Sequence, residues 1–135
     1  MSRTTAPTVE QMHAHIMGMI EEYGLIYTPV AKPAQAQAAI ELQEVWIPRV
    51  KSEISYASCL HEIGHIRGRY GWSKHKMVRE RDAWRWAKAH ALIWTARMES
   101  DRQASLGWYE EQLKDGRMSK SGRFLPLANL PQQRT

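Results

Sequence analysis

The run His61-Glu62-Ile63-Gly64-His65 decides how the rest of this chain is read. Two imidazoles four residues apart fall on one face of a helix, where both can ligate a single tetrahedral cation. A carboxylate directly after the first stands beside the position such an ion leaves open. Those residue types in that order suit hydrolysis of an amide bond, with two nitrogen ligands and one general base. The preceding residues support the helix: Tyr56, Cys59, Leu60 and Ile63 share one stripe, and His61, His65 and Gly68 lie on the neighbouring one. Ser52 or Ser55 is the candidate N-cap. Gly68 and Gly71 are the candidate stop, because glycine readily takes the left-handed conformation used at helix C-termini.

Outward from the motif, the N-terminal side divides into a helix and an extended region. Thr8-Val9-Glu10-Gln11 has the form of a capping box and opens a helix to about Tyr23, with Met12, Ile16, Met19 and Ile20 as its apolar stripe and Gly24 as its end. Leu25 to Val30 is β-branched and aromatic, Ala31 to Gln37 reads as a connection, and Ala39-Leu42 and Val45-Pro48 alternate loosely. Two or three strands are therefore expected before the motif helix, with Pro48 ending a strand or lying at a sheet edge. On the C-terminal side, Met77, Trp84, Ala87, Ala91 and Trp94 predict a helix from about Lys74 to Thr95. A last helix is expected from about Arg97 to Lys114, closed by Asp115-Gly116. Trp84 and Trp86 are assigned to packing behind the site. The fold class is α+β in a single domain over residues 1–116, with 117–135 a mobile or surface tail.

At 135 residues and 43% hydrophobic, the chain is long enough to bury a core and fits one domain. No apolar run approaches a bilayer span, and Met1 to Pro7 lacks the pattern of a secretory signal, so a cytoplasmic protein without membrane contact is expected. The single Cys59 is read as a small buried residue, since it lies two positions before His61 and is turned to another helix face. His13 and His15, two apart, make a poor metal pair. The net charge of +5 has a focus just after the motif, from Arg67 and Arg69 through Arg85 and Lys88, which could meet phosphates. Glu80 and Asp82 are embedded among those cations. Solvated helix faces are the preferred reading, and nucleic acid is a possible partner but not the favoured one.

Two histidines do not complete a catalytic zinc site, which normally has three protein ligands. The longer pattern H-E-x-x-H-x-x-G-x-x-H fails here, because Gly71 stands where its third histidine belongs. The next helix offers Glu80 and Asp82 instead, with His75 and His90 as further candidates.

Leu60-His61-Glu62-Ile63-Gly64-His65 followed by Glu80-x-Asp82-Ala83-x-x-Trp86-Ala87 resembles the small gluzincin-type metallopeptidases of phage and bacterial genomes. That family includes the repressor-cleaving and radiation-response proteases. The likeness spans roughly residues 44–87, a third of the chain. It implies a minimal zincin-like domain, a zinc ion on two histidines and a glutamate, and the glutamate of the motif as base. Carried onto this sequence, the metal ligands are His61, His65 and Glu80, and the catalytic base is Glu62. Glu80 is preferred to Asp82 for its reach across an interhelical gap. The resemblance further implies a peptide or protein substrate, with Val45-Pro48 as the edge strand that aligns it. Tyr70 or His75 is a candidate donor to the oxyanion. A competing reading is a binding or regulatory protein, phage-encoded or associated with nucleic acid, in which the zinc site is structural or residual. In a third, the tail from Arg117 folds over the cleft and restrains activity.

Overall fold

The computed structural model describes residues 5–125 and has the expected α+β layout: an N-terminal helix, a small mixed sheet, the motif helix, then two further helices. Helix α1 (Val9–Tyr23) opens on the Thr8 capping box and closes on Gly24, whose φ of 64° requires the left-handed region glycine enters freely. Strands β1 (Ile26–Val30), β2 (Gln37–Ala39) and β3 (Glu44–Pro48) form one sheet in the order β1-β3-β2, with β1 parallel and β2 antiparallel to β3.

That order corrects the expectation for Val45-Pro48. Rather than an edge, β3 is the central strand, buried at Val45 and Ile47. Pro48 is tolerated because it is the last residue of the strand, where its missing N–H ends the ladder. The edge beside the motif helix is β2. Of the run Ala39-Leu42 only Ala39 is in a strand; Ile40–Leu42 forms a 3₁₀ turn that Gln43 closes at a φ of 52°.

Helix α2 (Glu53–Arg67) carries the motif and is enclosed: ten of its fifteen residues are buried, so it shows little of the one-sided patterning of a surface helix. Ser52 rather than Ser55 is its N-cap, accepting from the Ser55 amide at 3.3 Å. Its densest packing is on α3 (Lys76–His90). The two helices approach closely at Gly64, where a Cβ would overlap the Ala83 carbonyl oxygen. Gly68 ends α2 in an extended conformation (φ −68°, ψ 173°), not the left-handed one expected. Glycine is needed there because a Cβ would overlap an Asp82 carboxylate oxygen.

Helix α3 stops at His90, short of the expected Thr95. The Leu92 amide leaves the helix to donate to Tyr56 Oη at 2.9 Å, and Thr95 caps α4 (Ala96–Lys114) by accepting from the Met98 amide at 3.2 Å. Trp84 and Trp86 are buried as expected. At the other end of α3, the N-cap residue His75 offers no side-chain cap, and the Lys76 amide instead donates to the Lys120 carbonyl at 2.7 Å. Residues 117–125 thus form a turn against α3, with Met118 buried and bridged to Phe124. The remainder of the expected tail, 126–135, lies outside the described residues. No helix among the described residues is long and apolar enough to cross a membrane.

Three variants test this packing. Gly64→Ala is expected to lower the unfolding free energy by about 1–3 kcal/mol through overpacking, as read by urea denaturation. Gly18→Ala, in α1 with open space around it, raises it by about 0.5–1 kcal/mol. Hydrogen bonds from Arg102, Trp94 and Gln103 hold the Glu99 carboxyl down at about 2, against an ordinary 4.5. A depressed pKa stabilises the fold above the unfolded-state value, and the contribution is lost as pH falls through the folded one. Acid titration of Glu99→Gln should therefore show a shallower loss of stability than the parent between about pH 4.5 and 2.

Candidate metal centre

Helix α2 presents His61, Glu62 and His65, and α3 presents Glu80 across the contact made at Gly64. His61 Nε2 lies 3.0 Å from Glu80 Oε1, His65 Nε2 lies 2.9 Å from Glu80 Oε2, and the two imidazole nitrogens are 3.1 Å apart. One donor atom from each of the three residues can be chosen so that all lie within 4.8 Å of one another, a spacing that a small tetrahedral dication with bonds of about 2.0–2.1 Å could gather in. Protons serve the arrangement poorly. Glu80 is fully buried, and its Oε2 has no well-aligned hydrogen bond although His65 Nε2 and Lys76 Nζ approach it at 2.9 and 3.0 Å. Donor atoms of His61, His65 and Glu80, brought together from two helices, form a cluster that could hold a metal ion.

Charge coupling follows from the same geometry. Burial alone would raise the Glu80 pKa, but hydrogen bonds and charges from His61 and His65 outweigh it and hold the carboxyl below the usual range. Burial alone would lower that of His61, and the neighbouring Glu62 and Glu80 instead push it up to about 9. A metal entering below that pH must displace a proton.

His61 is held from two sides. Its ring stacks on Trp84 at 4.3 Å between centroids and 12° between planes, and its Nδ1 lies 3.4 Å from Glu62 Oε2. Trp84 is therefore more than packing behind the site, since it stacks on the ring of a candidate ligand.

The other candidate ligands are placed elsewhere. Asp82 accepts from the Arg69 and Tyr70 amides at 3.2 and 2.7 Å and pairs with Arg85, so its carboxylate closes the exit from α2. His75 is exposed at the α3 N-cap, and His90 stacks on Trp86 at the opposite end of the helix. Gly71 has no room for a ligand side chain, because a Cβ would overlap the His65 carbonyl oxygen. Cys59 is buried, as expected, with its Sγ donating to the Pro48 carbonyl at 3.2 Å.

A cleft of about 500 Å³ opens beside the cluster. Glu62 and His65 line it together with Trp72, Lys76, Arg79 and Tyr109, and so do residues Ala36 to Glu41, which include β2. Neither Tyr70 nor His75 lines it. Tyr70 belongs to a shallow pocket with Val78, Arg81 and Arg85. Tyr109 does line the cleft, as does Ser73; the sequence pattern places Tyr109 only on the periodic face of the last helix. Burial and the charges of Glu80 and Glu62 push its pKa up to about 12, so it stays a donor. Lys76 sits 4.7 Å from the Tyr109 ring centroid and pairs with Glu80. Its spacing from Glu80, four residues on a helix, is a readable signal of such a pair.

Comparison of the chain with known protein families, curated proteins and solved structures finds no match.

One metal ion per chain is expected by mass spectrometry of the native protein. His61→Ala, His65→Ala or Glu80→Ala should weaken binding by more than the ~10–100-fold typical of losing an outer partner, whereas Asp82→Asn should keep the metal. Because His61 is held protonated by its carboxylate neighbours and must lose that proton, the apparent affinity should rise with pH through the neutral range; a pH-independent affinity would contradict this coupling.

Proposed function

We propose that this chain is a zinc-dependent metallopeptidase. The observation that carries the reading is that Glu80, from a separate helix, meets His61 and His65 while Glu62 is left out of the triangle and lines the adjoining cleft. Two imidazoles and one carboxylate with no thiolate are a donor set suited to a zinc ion with an open position. When bound, zinc supplies Lewis acidity, bringing the pKa of a water toward neutrality and polarising the scissile carbonyl. The resemblance of Leu60-His65 and Glu80-Ala87 to the repressor-cleaving and radiation-response proteases supports the same assignment.

The chain's own residues supply the remaining steps. Glu62, only 8% exposed, accepts a proton from the attacking water and delivers it to the leaving amine. The Tyr109 hydroxyl donates to the oxygen on which negative charge develops. β2 pairs only with β3 among the described residues, so its outer edge is open to an extended peptide that adds by main-chain hydrogen bonding. Its small residues Ala38 and Ala39 line the cleft.

With a quenched-fluorescence peptide library, Glu62→Gln should retain zinc and lose about 10²–10⁴-fold in kcat/KM. Tyr109→Phe should lose about 10²–10³-fold, mainly in kcat. Undiminished cleavage by Glu62→Gln at full metal occupancy would remove Glu62 from the mechanism. Magnesium in place of zinc should give no activity.

A further inference from the structure

Arg79 has a role that neither the ligand cluster nor the base accounts for. Its Nη1 donates to the Ser73 carbonyl at 2.6 Å and its Nη2 to the Ser121 carbonyl at 2.7 Å, so the guanidinium is pinned between the loop before α3 and the C-terminal turn. Gly122, at a φ of 96°, lets that turn lie directly against the Lys76 and Arg79 side chains. Among the described residues no carboxylate comes within ion-pair distance of Arg79. Tethering two carbonyls occupies two of its five N–H donors and calls for no charge. The charge is nonetheless kept, half-buried, on the wall of the cleft.

The charges lining the cleft point the same way. Lys76 is paired with Glu80 at 3.0 Å, and Glu62, Glu41 and, beside His61, Asp101 supply further carboxylates, so Arg79 is the cation of the lining left without a carboxylate partner among the described residues. An unpaired guanidinium on a cleft wall favours an anion. An arginine already immobilised by two carbonyls also loses little further freedom on pairing with one.

We propose that Arg79, with Lys76 beside it, selects substrates carrying a carboxylate close to the scissile bond. The carboxylate is either an Asp or Glu side chain or the C-terminal carboxylate of a peptide. This inference rests on the peptidase reading of the same cleft. Lys76 contacts the Glu80 carboxylate and Arg79 lines the same cleft as Glu62, so the recognised group lies within a few residues of the cleaved bond.

The test is a set of peptides of one sequence in which Glu is exchanged for Gln at each of the three positions on either side of the scissile bond, each made with a free and an amidated C-terminus. The zinc-loaded wild type should prefer one acidic member over its neutral counterpart by roughly 10–100-fold in kcat/KM, as a charge-assisted hydrogen bond to arginine implies. The preference should fall with added salt. Dependence on the scanned position identifies a side-chain carboxylate, and dependence on amidation a terminal one. Arg79→Gln should bring the ratio close to one, and Arg79→Lys should retain part of it. Each ratio is taken within one protein, so partial unfolding or incomplete metal loading cancels. A wild-type ratio near one, or a ratio that survives in Arg79→Gln, overturns the proposal. Cleavage of no peptide by wild type speaks against the peptidase reading itself, and fluorescence anisotropy with zinc-loaded Glu62→Gln then decides the carboxylate question: equal binding of acidic and neutral peptides overturns it.

Discussion

The backbone contact between α2 and α3 sets the geometry on which the site depends. Where Gly64 meets the Ala83 carbonyl there is no side chain between the helices, so their axes come close enough for a glutamate on one to reach two histidines on the other. The contact lies one residue before His65 and three after Glu80, inside the span of the ligands it serves. A wider gap would leave Glu80 as a buried carboxylate without its partners, a state that costs several kcal/mol by the usual reckoning of unpaired buried charge. The same approach stacks Trp84 on His61.

Asp82 and Glu80 divide the remaining requirements between them. Two residues apart on one helix, they point in different directions. Glu80 faces the imidazoles, while Asp82 receives the first two amides after Gly68 and so fixes the direction in which the chain leaves α2. Gly68 is small because the Asp82 carboxylate occupies the space a side chain would fill. The three glycines of the segment, Gly64, Gly68 and Gly71, thus serve close approach rather than an unusual backbone angle. Each lies against a different oxygen.

Much of the fold was legible because the signals were local. The Thr8 box, the Gly24 stop and the Leu25-Val30 run are read from a few neighbouring residues and appear within a residue of where they were expected. The motif helix followed from helical spacing, and Glu80 as the partner of His61 and His65 from the family resemblance together with the reach of a glutamate. What escaped the reading was non-local. Strand order places β3 between two partners, and nothing in Val45-Pro48 itself distinguishes a short central strand from an edge. The end of α3 at His90 depends on a tyrosine thirty-six positions earlier that captures the Leu92 amide. Tyr109 and Arg79 reach the cleft only through the docking of α4 and of the turn after it.

That turn carries a consequence for biosynthesis. The ligands on α2 and α3 are encoded within twenty consecutive positions, His61 to Glu80, whereas the carbonyls that cap α3 and hold Arg79 come from Lys120 and Ser121. The residues of the candidate histidine–glutamate cluster are thus synthesised about forty positions ahead of those two. The β2 part of the cleft, residues 36–41, is encoded first and the Arg79 part is completed last, so the order of translation separates the cluster from the final piece of surface built around it.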